Sequence, residues 1–237
     1  MLNITKENTV GEIVAQNYHT ASVFKAQGID FCCKGNTSIA AACANAQVDA
    51  DLLIDELNNF ATTPSVEGIN FGAWDLDLLS EYIEKKHHRY VAKKTPEILA
   101  YLNKIANVHG NRHPELIEIL EIFTASAQDL SKHMKKEELI LFPYIKKLAI
   151  STQKQSPNFG TVQNPIAMMQ EEHELEGVRF AKIAALSNNY TPPEDACNTY
   201  KVAYAMLQEF ENDLHLHIHL ENNILFPKAI AIETQLN

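Results

Sequence analysis

His133-Met-Lys-Lys-Glu137-Glu-Leu-Ile-Leu-Phe-Pro143 returns later in the chain as His217-Ile-His-Leu-Glu221-Asn-Asn-Ile-Leu-Phe-Pro227. In each copy a His and a Glu stand four apart. On an α-helix that is about 400° of rotation and about 6 Å of rise, so the two side chains share one face. Apolar neighbours say which face: Leu130 and Ile140 lie three before and seven after His133, and Phe210 and Ile224 lie seven before and seven after His217. The pattern predicts two long helices, each carrying a His and Glu pair into a core.

Around these copies the helical period is long. Four candidate segments run over 75–108, broken or bent near Thr95-Pro96, then 114–149, 165–187 and 194–231, joined by polar stretches at 151–164 and 187–193. Amphipathic helices of this length with such connections form an antiparallel bundle. Gly and Pro together make up 17 of 237 residues, about 7 % where roughly 12 % is usual, so a turn-rich all-β fold is disfavoured. The expected class is all-α.

The first sixty or so residues read as shorter helices. Thr9-Val-Gly-Glu12 has the form of a capping box, Gly28 ends a helix over 20–27, an alanine-rich helix starts near Thr37 or Ser38, and another covers 51–60. The expected organisation is a small helical domain over 1–62, a linker over 63–73 and the bundle over 74–237. A net charge of −10 without a gathered basic face speaks against nucleic-acid binding. The absence of a secretory-type N-terminus or a long apolar run speaks against a membrane, and points to the cytoplasm.

Nine of the ten histidines follow residue 86. A single His on an apolar face is more often a hydrogen-bonded core residue than a ligand. That explanation weakens when the groups are counted together. Two carboxylates and several imidazoles inside one bundle cost several kcal/mol per unpaired charge, and a metal satisfies them all. His173, with Ile166, Met169 and Phe180 on its face, adds a third helix. The first long helix offers His87 or His88, between which periodicity does not choose. His109 reads either as a ligand or as a helix-dipole partner. His113, His215 and His219 read as exposed or as supports behind the ligands. Imidazole and carboxylate without an inward Cys suit iron or manganese, and up to five His with two Glu suit two metals bridged by carboxylates, with room for an oxo or hydroxo bridge. Only Glu84-Lys-Lys-His87 has the ferritin-like spacing, so that architecture is the weaker match.

With Asp30-Phe31-Cys32-Cys33-Lys34-Gly35 ahead of the bundle, the sequence resembles the hemerythrin-like family, and more specifically the iron-sulfur cluster repair di-iron proteins (RIC/ScdA-like). Further marks are His87-His88-Arg-Tyr90, Val108-His109-Gly110 with His113-Pro114-Glu115, the His133 and Glu137 run, Glu172-His173-Glu174, and the run from His217 to Pro227. The resemblance implies a hemerythrin-like four-helix bundle holding two non-haem irons through His88, His109, His133, His173 and His217, bridged by Glu137 and Glu221. It implies repair of iron-sulfur clusters damaged by nitrosative or oxidative stress, by iron donation or by processing nitric oxide. The partners it implies are damaged iron-sulfur proteins as clients and nitric oxide or oxygen as small ligands; a homodimer stays open.

Cys32 and Cys33 are the candidate catalytic residues. Adjacent Cα atoms about 3.8 Å apart are too close for an unstrained disulfide, and Lys34 with the helix starting at Thr37 would lower a thiol pKa. Cys43 and Cys197 read as core. Two other functions stand beside repair: a hemerythrin-type oxygen-binding or redox-sensing protein, for which the Cys-Cys domain has no use, and a helical interaction module whose histidines are merely core.

Overall fold

The computed structural model describes residues 4–61, 69–153 and 155–236. It is all-α: among the described residues the only β feature is a lone bridge between Thr9 and Ser38. Part of the expected linker, residues 63–68, lies outside the described residues.

Four short helices come first: α1 (Val10–Gln16), α2 (Ala21–Ala26), α3 (Ile39–Ala46) and α4 (Ala50–Ala61). The Thr9 hydroxyl accepts from Glu12 N while the Glu12 carboxylate accepts from Thr9 N, so the capping box is formed in both directions. Gly28 stops α2 with φ at +68°, a conformation that an L side chain resists. Ser38 caps α3. After Phe71–Ala73, a turn of 3-10 helix, come α5 (Leu76–Tyr82), α6 (Arg89–His109), α7 (Glu115–Lys136), α8 (Phe142–Ile150), α9 (Gln163–Leu186), α10 (Asn198–Leu220) and α11 (Phe226–Leu236).

Between these helices lie three π-helical turns: Ile83–His88, Glu137–Leu141 and Glu221–Leu225. Each widens the helix at a candidate ligand, as π turns commonly do at functional sites. They also correct two expectations. The first long segment is not broken at Thr95-Pro96: α6 runs through Pro96, with the Thr95 hydroxyl donating to Val91 O at 2.8 Å and Val91, Ile98, Leu102 and Ile105 buried along its face. The irregularity sits earlier, at 83–88. Ile140, expected to point inward, is 51 % exposed, because the extra residue in the π turn advances the face by about 100° and puts Leu141 inside instead.

The chain forms two compact units. One is drawn from Met1–Ser80, Leu148–Ser156 and Leu216–Asn237; the other comprises Glu81–Lys147 and Pro157–His215. In the second unit α6, α7, α9 and α10 form a helical bundle around aromatic rings: Phe210 meets Phe123 edge-on at 5.3 Å, stacks on Phe180 at 5.7 Å and lies 6.1 Å from Tyr90. In the first unit the early helices pack with residues 216–236. Lys228 Nζ there donates to Gly72 O and Trp74 O at 2.6 and 2.9 Å. Among the described residues no helix is long and apolar enough to cross a membrane.

Candidate metal centre

In the bundle unit the π turn at 137–141 swings Glu137 fully inside. Its Oε2 lies 3.4 Å from His88 Nε2 and 3.2 Å from His133 Nε2. His133 Nε2 in turn faces His173 Nε2 at 3.0 Å. Thus His133, Glu137 and His173 each offer a ligand atom within 4.8 Å of one another, with His88 on the far side of the same carboxylate. All four are buried.

The outer ring nitrogens are held by carboxylates. His88 Nδ1 lies 2.8 Å from Glu138 Oε1, and His133 Nδ1 lies 2.9 Å from Glu172 Oε2, while Glu172 Oε1 takes an ion pair from Lys136. The bond from His133, with help from Lys136, outweighs burial and holds the Glu172 carboxyl down to about 2. Such carboxylates fix each imidazole with its proton on Nδ1 and leave the Nε2 lone pair directed inward. Neither Glu138 nor Glu172 was assigned a role from the sequence. Both lie on the half-exposed side of their helices, where charged residues are ordinary, and adjacency to Glu137 and to His173 was the available signal.

His87, the alternative to His88, is equally buried; its Nδ1 pairs with Asp213 at 3.1 Å and its ring meets Tyr82 edge-on. Both neighbours are inside because the π turn at 83–88 carries them. His109 is buried but not in the group around Glu137: its Nε2 lies 3.3 Å from Cys197 Sγ, and its Nδ1 has no hydrogen-bond partner among the described residues. Cys197 corrects an expectation, being exposed in the turn before α10 rather than core.

In the other unit His217 and Glu221 form the expected pair, Nε2 to Oε1 at 3.1 Å, both buried. Beyond them the sequence reading missed two residues. Asn222 Nδ2 donates to Cys32 O at 3.4 Å, and Asn223 Nδ2 donates to Cys32 O and Phe31 O at 3.1 and 3.2 Å. The same Asn223 amide lies 3.1 Å from His219 Nδ1. His219 is not exposed but fully buried, its ring about 6 Å from those of Phe31 and Tyr18, and burial lowers its pKa to about 4. Cys32 also departs from expectation. Contact with Cys33 and burial push its thiol up, whereas a helix N-terminus would lower it; Ser38 already occupies that N-terminus of α3.

The donors fit a hard-to-borderline ion. Within the bundle unit they are imidazole nitrogens and carboxylate oxygens, the set that suits iron or manganese. Two Nε2 atoms 3.0 Å apart beside a buried carboxylate, with His109 Nδ1 orphaned in the interior, are the arrangement a cation would reconcile.

Comparison with known proteins agrees. Residues 6–61 match a domain of unknown function (DUF542, ScdA_N), and residues 80–229 match the hemerythrin HHE cation binding domain. The chain is 34 % identical over 225 residues to the iron-sulfur cluster repair protein ScdA of Staphylococcus haemolyticus, covering 95 % of this chain and 99 % of that one. It is 33 % identical over 228 residues to the iron-sulfur cluster repair protein YtfE of Musicola paradisiaca, covering 96 % and 98 %, and 32 % identical over the same length to the YtfE of Escherichia coli O81.

Proposed function

The chain belongs to the iron-sulfur cluster repair family that joins a DUF542 domain to a hemerythrin HHE cation-binding domain, and from that premise we propose that it restores iron-sulfur clusters damaged by nitrosative or oxidative stress in the cytoplasm. Two iron ions would be held by His88, His109, His133, His173, His217, Glu137 and Glu221. When bound, they supply a ferrous–ferric couple held by nitrogen and oxygen alone, from which iron leaves more readily than from thiolates. Damaged iron-sulfur proteins are the clients, and nitric oxide or oxygen the small ligands.

The observation that carries this reading is Glu137, a carboxylate without exposed surface set between His88 Nε2 and His133 Nε2. The chain's own contribution is orientation and exclusion of water. Glu138 and Glu172 take the Nδ1 protons of His88 and His133 in hydrogen bonds and so fix both rings. Phe142 stacks on the His88 ring at 5.5 Å and shields it. Cys32 and Cys33 supply the thiol chemistry by which iron or a nitrosyl group passes between protein and client. The test is iron analysis with Mössbauer spectroscopy on protein purified without air, together with recovery of a damaged cluster enzyme. About two irons per chain and recovery on adding the holoprotein are expected. Equal recovery with a His133→Ala, Glu137→Ala variant would overturn the reading.

A further inference from the structure

We propose that Asp30, Cys32 and Cys33 form a second metal site, a thiolate and carboxylate pocket open to solvent that takes a divalent d-block ion as cargo; this rests on the repair reading above. Each residue offers a ligand atom, and the three atoms lie within 4.8 Å of one another. Neither cysteine is in a disulfide, and the two sulfurs are 3.8 Å apart. That spacing is informative. A tetrahedral ion with metal–sulfur bonds of about 2.3 Å holds two sulfurs about 3.8 Å apart. The same geometry with a carboxylate oxygen at about 2.0 Å asks for a sulfur-to-oxygen separation of about 3.5 Å; Cys32 Sγ to Asp30 Oδ1 is 3.3 Å. The donors are therefore already placed as an ion would place them, while a disulfide between adjacent residues would draw the sulfurs to about 2.05 Å at the expense of the backbone.

The loop is set from two sides. Asp30 Oδ1 accepts from Cys32 N at 2.9 Å and Cys33 N at 3.0 Å, which turns both side chains toward the carboxylate. On the carbonyl side Asn222 and Asn223, the two residues that follow Glu221, hold Cys32 O and Phe31 O. The loop is thus tied by hydrogen bonds to the helix that bears a proposed iron ligand. Cys32 is buried, Cys33 partly exposed and Asp30 exposed, so a fourth position opens toward solvent, as in metal sites that exchange a ligand. A client thiolate or a water would complete the set. Each sulfur that ligates releases its proton to solvent, two per divalent ion, and no electron moves.

The test adds Co(II), without air, to the full chain already carrying its iron. One Co(II) should bind with a sulfur-to-cobalt charge-transfer absorption in the near ultraviolet. Cys32→Ser and Cys33→Ser should each abolish that absorption, and Cys197→Ser should leave it unchanged. Asp30→Asn, which keeps the oxygen that accepts the two amides, should retain the absorption with affinity about 10-fold weaker. No charge-transfer absorption in the parent chain, or its persistence when both Cys32 and Cys33 are Ser, would overturn the site. Iron is counted on the same samples. Two irons without the cobalt absorption overturn this site alone, whereas the absorption without iron overturns the di-iron reading and leaves this site standing.

Discussion

At Glu137 a single carboxylate sets the chemistry of the site, because a charge without exposed surface needs a nearby cation. Glu137→Gln keeps the shape and removes the charge. Iron bound per chain should fall sharply, while the metal-free variant should unfold at the same or higher urea concentration than the metal-free parent. Iron analysis paired with urea denaturation reads both, and unchanged iron content would deny Glu137 its role. Cys32 gives a second prediction at this scale. The contact with Cys33 and burial push its thiol up, so at pH 8 its alkylation in the folded chain should be much slower than in the urea-unfolded chain. Mass spectrometry of alkylated peptides over time checks this, and equal rates would contradict it. Asn223 shows how one side chain fixes its surroundings. A Cβ on Gly11 would sit 2.7 Å from Asn223 Oδ1, and one on Gly35 would overlap the same amide. Gly35→Ala should therefore destabilise the chain by about 1–3 kcal/mol in urea titration.

Among the helices, the π turns decide which residues face inward, and they are also where reading by period failed. Leu130, Phe210, Ile166, Met169 and Phe180 are all buried as their spacing requires, since hydrophobic spacing belongs to consecutive residues of a regular helix; Ile224 is buried as well, although it lies in the π turn at 221–225. Ile140 is exposed and both His87 and His88 are buried because one added residue rotates everything after it, and no residue type announces the addition. The contrast is testable. Leu141→Ala should cost about 2–5 kcal/mol, whereas Ile140→Asn should stay within about 0.5 kcal/mol of the parent. Thermal or urea unfolding with the reverse order would place the turn elsewhere. Capping at Thr9 and Ser38 and the stop at Gly28 were legible for the opposite reason: each is set by neighbours within a few positions.

Across the whole molecule, composition and period were enough for an all-α chain, and the repeated His and Glu pairs with the Cys-Cys motif were enough for the family. What could not be read is contact between residues far apart in sequence. Asn222 and Cys32 are separated by 190 positions, and nothing local to either encodes their hydrogen bond. The compact unit that holds the first helices also contains residues 216–236. A fragment ending at residue 80 should accordingly lack a cooperative unfolding transition, and circular dichroism across a urea series would show it; a sharp transition in that fragment would refute the dependence. The same feature sets an order of events during synthesis. At a translation speed of about 5–20 residues per second, the dithiol loop emerges some 10–40 s before the asparagines that hold it. A product cut short before residue 222 would lack the two asparagine amides that latch the carbonyls of its dithiol loop.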